Sequence, residues 1–199
     1  QIDALLNSMQ NGGGGADEKK EKEPEIKYKK YDFFSPKKYT KDKLKMLHNI
    51  YDNYARVASS QINGLFKVAS EVTVMGVEEQ RYYEFSNALS DTDVMTIARV
   101  SLMDELQAAP ILMHISPEVM ISMVDRLMGG MGTDNVSASY VYTDIEYALY
   151  QKVIKYFVNI NKDVWSTHVK LDAEFDRMEE NPSMFQVVSV DEAVVIVML

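Results

Sequence analysis

The chain has 199 residues, of which 46% are apolar and 26% charged, and this composition is typical of a folded globular protein. It contains no cysteine, which excludes disulfides, thiolate metal sites and cysteine nucleophiles and agrees with a reducing compartment. The net charge of −9 is unevenly distributed along the chain. Residues 16–45 hold 11 Lys and 7 Asp or Glu, whereas residues 46–199 hold 10 Lys or Arg and 22 Asp or Glu. The acidic segment 46–199 is therefore expected to repel nucleic acid.

The first ten residues, QIDALLNSMQ, predict a short amphipathic helix. Ile2, Leu5, Leu6 and Met9 recur at the i, i+3, i+4, i+7 spacing of one helical face. Residues 11–30 include four consecutive glycines and a lysine- and glutamate-rich block, which bury too little apolar surface to fold and so predict a disordered linker. Because a helix of about ten residues is marginal alone in water, its apolar face is expected to need a partner.

A folded domain is predicted to begin near Tyr31. Thr40 is predicted to cap a long helix over Lys41–Phe66, whose apolar residues keep helical spacing. Further on, the β-branched residues of Glu71–Val77 predict a strand, and Glu78–Ala88 is predicted to form a short helix.

Strands and capped helices are predicted to follow. Val94–Leu102 and Ile111–Ser116 predict a pair of strands. Ser116, Pro117 and Glu118 then predict a helix start, with a cap, a proline in the first turn and an acid at the positive end of the helix dipole. This helix is predicted to stop at the glycines after Met128.

Thr143 is predicted to cap a second long helix with acids in its first turn. Phe185–Val190 and Ala193–Leu199 predict apolar strands, and because the sequence stops inside the second of them, we expect the chain to continue beyond Leu199. Helices mixed with mostly antiparallel strands predict an α/β fold in the broad sense, with helices layered on a sheet.

Familiar catalytic and metal-binding patterns are missing from the sequence. The three histidines lack the spacing of a zinc motif, and the acidic stretch Asp172–Asp176 lacks the glycine and the distal glutamate of a calcium loop. No GxSxG motif occurs, and the glycine cluster ends a helix without a following lysine, unlike a phosphate-binding loop. We therefore predict no catalytic residue, no metal and no cofactor, and a binding or scaffold module rather than an enzyme.

The segment Gly129–Gly132, called the glycine loop below, has more glycine than a helix end needs. One or two glycines suffice to terminate a helix, whereas here three surround Met131. Since glycine lets another backbone approach closely, the glycine loop predicts a contact with another protein.

Three segments of this sequence resemble segments of the flagellar motor switch protein FliM family. They occur in the same order as in that family. The first is QIDALLNSMQ, which resembles the family's EIDALL peptide. The second is KKYDFFSPKKYTKDKLKMLHNIYDNYARVASSQI, which resembles the start of its middle domain. The third is MVDRLMGGMG, which resembles its DRLLGGxG segment, with Met131 where proline is common. These three segments are the landmarks of a resemblance that covers essentially the whole chain.

The resemblance implies a peptide that binds phosphorylated CheY at residues 1–10, a linker at 11–30, and at 31–199 a middle domain with a CheC-like pseudo-symmetric α/β/α sandwich fold. It assigns CheY binding to the first six residues, Gln1, Ile2, Asp3, Ala4, Leu5 and Leu6, docked as a helix in a groove. It assigns FliG binding to the end of a helix and the glycine loop, namely Asp125, Arg126, Gly129, Gly130, Met131 and Gly132.

The resemblance also implies further partners and a location. Neighbouring FliM copies are expected to meet through Asn53 and Arg56, with the acidic stretch Asp172–Asp176 opposite Arg56. FliN is expected to bind through a C-terminal domain that this sequence lacks. The implied location is the rotor C ring of the flagellar basal body, at the cytoplasmic face of the inner membrane. The sequence contains no run of about 18 consecutive apolar residues, which agrees with this peripheral placement.

Two alternatives stay open at this level. A CheC-type phosphatase of phosphorylated CheY shares the fold and orients water with an acid followed three residues later by an amide. The acids to consider, each with the residue three positions on, are Glu118 with Ile121, Glu146 with Leu149, and Glu84 with Asn87. Only the last pair contains the amide, on a short helix elsewhere. A generic adaptor domain is the other alternative, and it leaves the EIDALL-like peptide unexplained.

Overall fold

A computed structural model of the chain describes residues 37–90, 93–103, 108–132, 140–180 and 187–199. The predictions made for residues 1–36, which include the amphipathic peptide, the linker and the start of the folded domain, lie outside the described residues.

Four helices occur in the described ranges: α1 (Lys41–Phe66), α2 (Tyr82–Ser86), α3 (Pro117–Leu127) and α4 (Asp144–Trp165). Helix α1 has its predicted bounds, because the Thr40 side chain accepts a hydrogen bond from the Lys43 N–H at 3.4 Å. Helix α4 begins at its predicted cap, with a reciprocal capping box between Thr143 and Glu146. Helix α3 begins where predicted but without a side-chain cap from Ser116.

The described strands are β1 (Gly76–Arg81), β2 (Val94–Leu102), β3 (Ala108–His114), β4 (Leu171–Glu180) and β5 (Ala193–Met198). They form two sheets, a three-stranded antiparallel sheet in the order β3-β2-β4 and an antiparallel ribbon of β1 and β5. Strand β2 matches its prediction from end to end. The last predicted strand is confirmed as β5, and its partner is β1.

Two predictions around β1 are wrong. Residues 71–75 form no strand, because side chains of α1 hold the segment before β1 instead: Ser59 Oγ accepts the Val72 N–H at 2.7 Å, and Asn63 Oδ1 accepts the Ser70 N–H at 2.8 Å. Residues 78–81, predicted as helix, belong to β1 because Ala193–Met198 pairs with them along the whole strand. Residues 187–190, predicted as strand, form a bend and a turn that lead into β5.

The main core lies between α1, α3, α4 and one face of the three-stranded sheet. Helix α4 packs against α1, α3 and β4, and the Tyr54 hydroxyl of α1 donates to the Phe157 carbonyl of α4 at 3.1 Å. The buried α1 and α4 side chains of this core are Ile50, Tyr54, Ala58, Phe66, Tyr150, Val153, Ile154, Phe157, Ile160 and Val164. This layer of helices on a sheet confirms the predicted mixed α/β fold.

The opposite face of the sheet is covered by α2 and the ribbon. Ile97 of β2 and Tyr82 of α2 are buried together, and Val194 of β5 packs against them. The sheet is therefore enclosed on both faces near the start of β2, where burial is greatest. In the described part of the chain, no helix is both long enough and apolar enough to cross a membrane.

Candidate functional site

The glycine loop follows α3 and is anchored by one residue of that helix, Asp125. The Asp125 carbonyl accepts the Gly130 N–H at 2.9 Å, and its carboxylate oxygen Oδ2 accepts the Gly132 N–H at 2.8 Å. These two bonds involve the residues on either side of Met131, so the backbone is held both before and after it. The structure thus brings the predicted Asp125 and the glycines into one arrangement.

The glycines are required by the packing of the loop itself. Gly129 and Gly132 have φ of +95° and +82°, in the region that strains residues with a Cβ atom. A Cβ added at Gly130 would overlap the Asp125 carboxylate, and one at Gly132 would lie 2.7 Å from Arg126 Nε. The glycine surplus therefore has an intramolecular reason, in addition to the close approach by another backbone that the sequence predicts.

The anchored loop carries an exposed apolar tip. The Met131 side chain is 87% exposed and that of Met128 is 58% exposed, with Leu127 of α3 beside them also exposed. Exposed apolar residues scattered singly are ordinary, whereas these three occur within five residues of the sequence beside an anchored loop and form a candidate contact surface. We call Leu127, Met128 and Met131 the apolar tip.

The acids considered for a phosphatase occupy different environments. Glu118 lies exposed in the first turn of α3, and Glu84 lies on the five-residue α2. The Glu146 carboxylate is already engaged, because it accepts hydrogen bonds from the Tyr140 hydroxyl and from the Thr143 N–H and hydroxyl. Partial burial acts to raise the pKa of Glu146, but these hydrogen bonds outweigh it and lower the pKa. Glu146 is thus a capping residue of α4.

Replacing Glu146 by glutamine is expected to lower stability in a pH-dependent way. A carboxyl whose pKa is lowered on folding stabilises the protein above its unfolded pKa, and this contribution is lost as the pH falls through the folded pKa. Glu146→Gln should therefore cost about 0.3–1 kcal/mol at pH 7, the usual value of a charge at a helix N-terminus. Urea unfolding from pH 7 down to pH 3 measures the difference, and a deficit that stays constant over this range would contradict the role of the charge.

The residues predicted for self-contact lie on α1. The Arg56 guanidinium donates to Asn53 Oδ1 at 2.8 Å, and Arg56 is exposed. The acidic stretch predicted to face Arg56 lies on β4, where its two aspartates already have partners in the same chain: Asp172 pairs with Lys162, and Asp176 pairs with Arg99 at 3.1 Å. Within one chain, Arg56 is therefore not paired with Asp172 or Asp176, and the predicted contact between neighbouring copies stays a prediction.

Within the described ranges, no group of three or more His, Asp or Glu side chains is placed to hold a metal ion. His114 lies 3.3 Å from the buried Asp93, as a pair at the start of β2 and the end of β3.

Comparison with known families gives one consistent match. Residues 40–199 match the profile of the family described as flagellar motor switch protein FliM. The FliM of Bacillus subtilis strain 168 is 29% identical over 199 residues, which cover 100% of this chain and 58% of that protein. The FliM of Borreliella burgdorferi is 28% identical over 173 residues, covering 87% of this chain and 48% of that protein. The chain thus spans about half the length of these curated relatives.

Solved structures agree with the sequence matches. The crystal structure of a FliG–FliM complex from H. pylori has a TM-score of 0.73 and 25% identity, and the match covers 80% of this chain and 85% of that one. The X-ray structure of Thermotoga maritima FliY has a TM-score of 0.69 at 14% identity, covering 81% and 83% of the two chains, and this is a likeness of fold alone. The fold expected from the resemblance is thereby confirmed.

Proposed function

Because this chain belongs to the FliM family of flagellar motor switch proteins, we propose that it is a rotor component that binds FliG through the glycine loop and phosphorylated CheY through its N-terminal peptide. The observation that carries the proposal is the apolar tip, three exposed apolar residues at the end of α3 and on the glycine loop, which Asp125 anchors at two points. The likeness of this chain to the solved structure of a FliG–FliM complex supports FliG as the partner.

Binding at the glycine loop needs little rearrangement of this chain. A loop held by its own hydrogen bonds loses less conformational entropy on binding than a free loop does, and this favours affinity. The apolar tip supplies area that loses water on contact. Asp125 and Arg126 lie at the base of the loop, where Asp125 sets its shape and Arg126 packs beside Gly132.

CheY binding is proposed for Gln1, Ile2, Asp3, Ala4, Leu5 and Leu6, on the strength of their likeness to the EIDALL peptide. An amphipathic helix that enters a groove presents its apolar side chains at i, i+3 and i+4. The linker at 11–30 would hold the captured CheY at a high effective concentration near residues 31–199. Control of rotation would follow if CheY contacts favour one packing of this chain against FliG, which is a shift in population rather than a reaction.

The remaining assignments follow the same premise. Neighbouring copies would meet through the part of α1 that carries the half-buried Asn53 and the exposed Arg56. FliN would bind a domain outside this sequence, and the assembly would lie at the cytoplasmic face of the inner membrane. A CheC-type phosphatase is the competing function, and the engagement of Glu146 as a helix cap disfavours it.

The proposal is tested by measuring binding of the chain to FliG and, separately, to CheY with and without phosphorylation. Binding to FliG and preferential binding to phosphorylated CheY are the expected results. The decay of phosphorylated CheY is followed in the same samples. Failure to bind FliG, or failure to bind phosphorylated CheY, would overturn the proposal. Faster decay of phosphorylated CheY in the presence of the chain would favour the phosphatase.

Leu6→Asp is expected to weaken binding of phosphorylated CheY by about thirtyfold or more, because truncation or polar replacement of a buried anchor at an interface costs at least about 2 kcal/mol. Ser8→Asp adds the same charge outside the predicted apolar face and is the matched control. Isothermal titration compares the two variants with the parent. Equal affinities for the parent and Leu6→Asp would show that the peptide is not the CheY site.

A further inference from the structure

We propose that Met131, together with Met128, is an oxidation site, at which a hydroperoxide converts the thioether to methionine sulfoxide and thereby weakens FliG binding. The inference rests on the proposed FliG contact and extends it from recognition to regulation by oxidants. It comes from the exposure and the setting of two particular side chains.

The methionines of this chain differ sharply in exposure. Met131 and Met128 are 87% and 58% exposed, whereas Met95 and Met120 in the core are 0% and 1% exposed. Oxidation of methionine requires the sulfur to meet the oxidant in solution, so the two classes are expected to react at different rates. Met75 and Met103 are also highly exposed, at 78% and 71%, but Met75 precedes β1 and Met103 follows β2, so both lie outside the apolar tip.

The setting of Met131 keeps its sulfur accessible. Its neighbours on both sides are glycines, which have no side chain that covers it. The Asp125 hydrogen bonds to Gly130 and Gly132 fix the backbone on either side, so the Met131 side chain stays at the surface. These bonds join the Gly130 and Gly132 N–H groups to the Asp125 carbonyl and carboxylate and do not involve the sulfur, so oxidation leaves the loop anchored.

The chemistry balances with hydrogen peroxide as the oxidant. The thioether sulfur attacks one peroxide oxygen, an S–O bond forms and the O–O bond breaks. Sulfur loses two electrons and the peroxide gains them. The hydroxide that leaves takes the proton of the transferred oxygen and becomes water. Methionine sulfoxide reductases reverse the change, so it can act as a switch.

Oxidation changes what the apolar tip can bind. A methionine side chain is flexible and apolar and fills irregular apolar gaps, whereas its sulfoxide carries a polar oxygen that needs a hydrogen-bond partner when buried. A partner surface shaped for a thioether offers no such donor, so the unpaired oxygen would be desolvated without compensation. The sulfoxide form is expected to bind FliG at least about tenfold more weakly.

The test treats the whole chain with limiting hydrogen peroxide, maps the oxidised methionines by peptide mass spectrometry and measures FliG affinity before and after. Met131 and Met128 should be oxidised well before Met95 and Met120, and the affinity should fall at least about tenfold and recover after treatment with methionine sulfoxide reductases. In the double variant Met128→Leu/Met131→Leu, the ratio of treated to untreated affinity should stay near one. In Met75→Leu the ratio should fall as in the parent.

The outcomes separate this inference from the proposed function. If the untreated chain does not bind FliG, the FliG contact is overturned and this inference with it. If the untreated chain binds and the chain with Met131 fully oxidised binds equally well, the oxidation site alone is overturned. Oxidation of Met131 no faster than that of Met95 would overturn it as well.

Discussion

Met131→Asp is expected to abolish measurable FliG binding, with a loss of affinity of about a hundredfold or more, because a carboxylate at the apolar tip would have to lose its water without a partner. The fold should be unaffected. The Met131 side chain is almost fully exposed, and the loop is held by the backbone N–H groups of Gly130 and Gly132, which the substitution keeps. Substitutions at such exposed sites usually change stability by no more than about 0.5 kcal/mol.

Two further variants make the comparison specific. Met75→Asp places the same charge at another highly exposed methionine, outside the glycine loop, and should bind FliG like the parent. Met131→Lys carries the opposite charge and should lose affinity as Met131→Asp does, which separates loss of apolar contact from repulsion between charges. Binding is measured by biolayer interferometry on immobilised FliG, with thermal unfolding of each variant. Retention of parental affinity by Met131→Asp would show that the apolar tip is not the FliG contact.

Met131 stands where the DRLLGGxG segment that this chain resembles often has proline, and Asp125 anchors the backbone on either side of it. A proline would restrict the backbone by its ring. Here two hydrogen bonds from one aspartate, at 2.9 and 2.8 Å, restrain the residues on either side of Met131 instead. Met131 itself places a long, adaptable side chain with an oxidisable sulfur at the proposed interface.

Elements with strong local signals were predicted well from sequence. Helices α1 and α4 combine a capping residue with an extended apolar face, and both begin at the predicted cap, Thr40 or Thr143. The first five residues of strand β2 are mostly apolar and are buried on both faces, and such a run can be recognised without knowing its partner. In each case the residues that decide the structure lie within the element itself.

Elements decided by distant partners were missed. Strand β1, GVEEQR, is polar, and it is extended because β5, more than a hundred residues later, pairs with it. Strand β4 is hard to recognise in the sequence for another reason. Leu171, Ala173 and Phe175 alternate as expected of a strand, but a bulge at Asp176 shifts the inward positions by one residue, so the alternation breaks in the sequence.

The candidate site was predicted in part. The glycine loop stood out by composition, and the resemblance assigned Asp125 and Arg126 to it. The anchoring role of Asp125 was not predictable, since its carboxylate meets the Gly132 N–H only once the chain has turned through Gly129 and Gly130. A polar residue one helical turn before a glycine cluster is the signal that would have pointed to it.

Ile154→Ala is expected to be the most destabilising single change among these variants, at about 2–5 kcal/mol. Ile154 has no exposed surface and lies in the core between α1, α4 and the sheet, so its loss leaves a cavity in close-packed surroundings. For a domain of this size, the melting temperature should fall by about 5–15 °C. Calorimetry or circular dichroism during heating measures the shift.

Ile145→Ala is the matched control, because it removes the same atoms from the same helix at a site that is 67% exposed. It should change stability by no more than about 0.5 kcal/mol, since alanine also favours the helix. FliG binding of both variants, measured well below their melting temperatures, should match the parent, because neither residue belongs to the apolar tip. Equal melting temperatures for the two variants would contradict the placement of Ile154 in the core. A loss of FliG affinity in the folded Ile154→Ala variant would have a different meaning. Because α3 packs against α4, it would show that the core of α4 sets the shape of the glycine loop through α3.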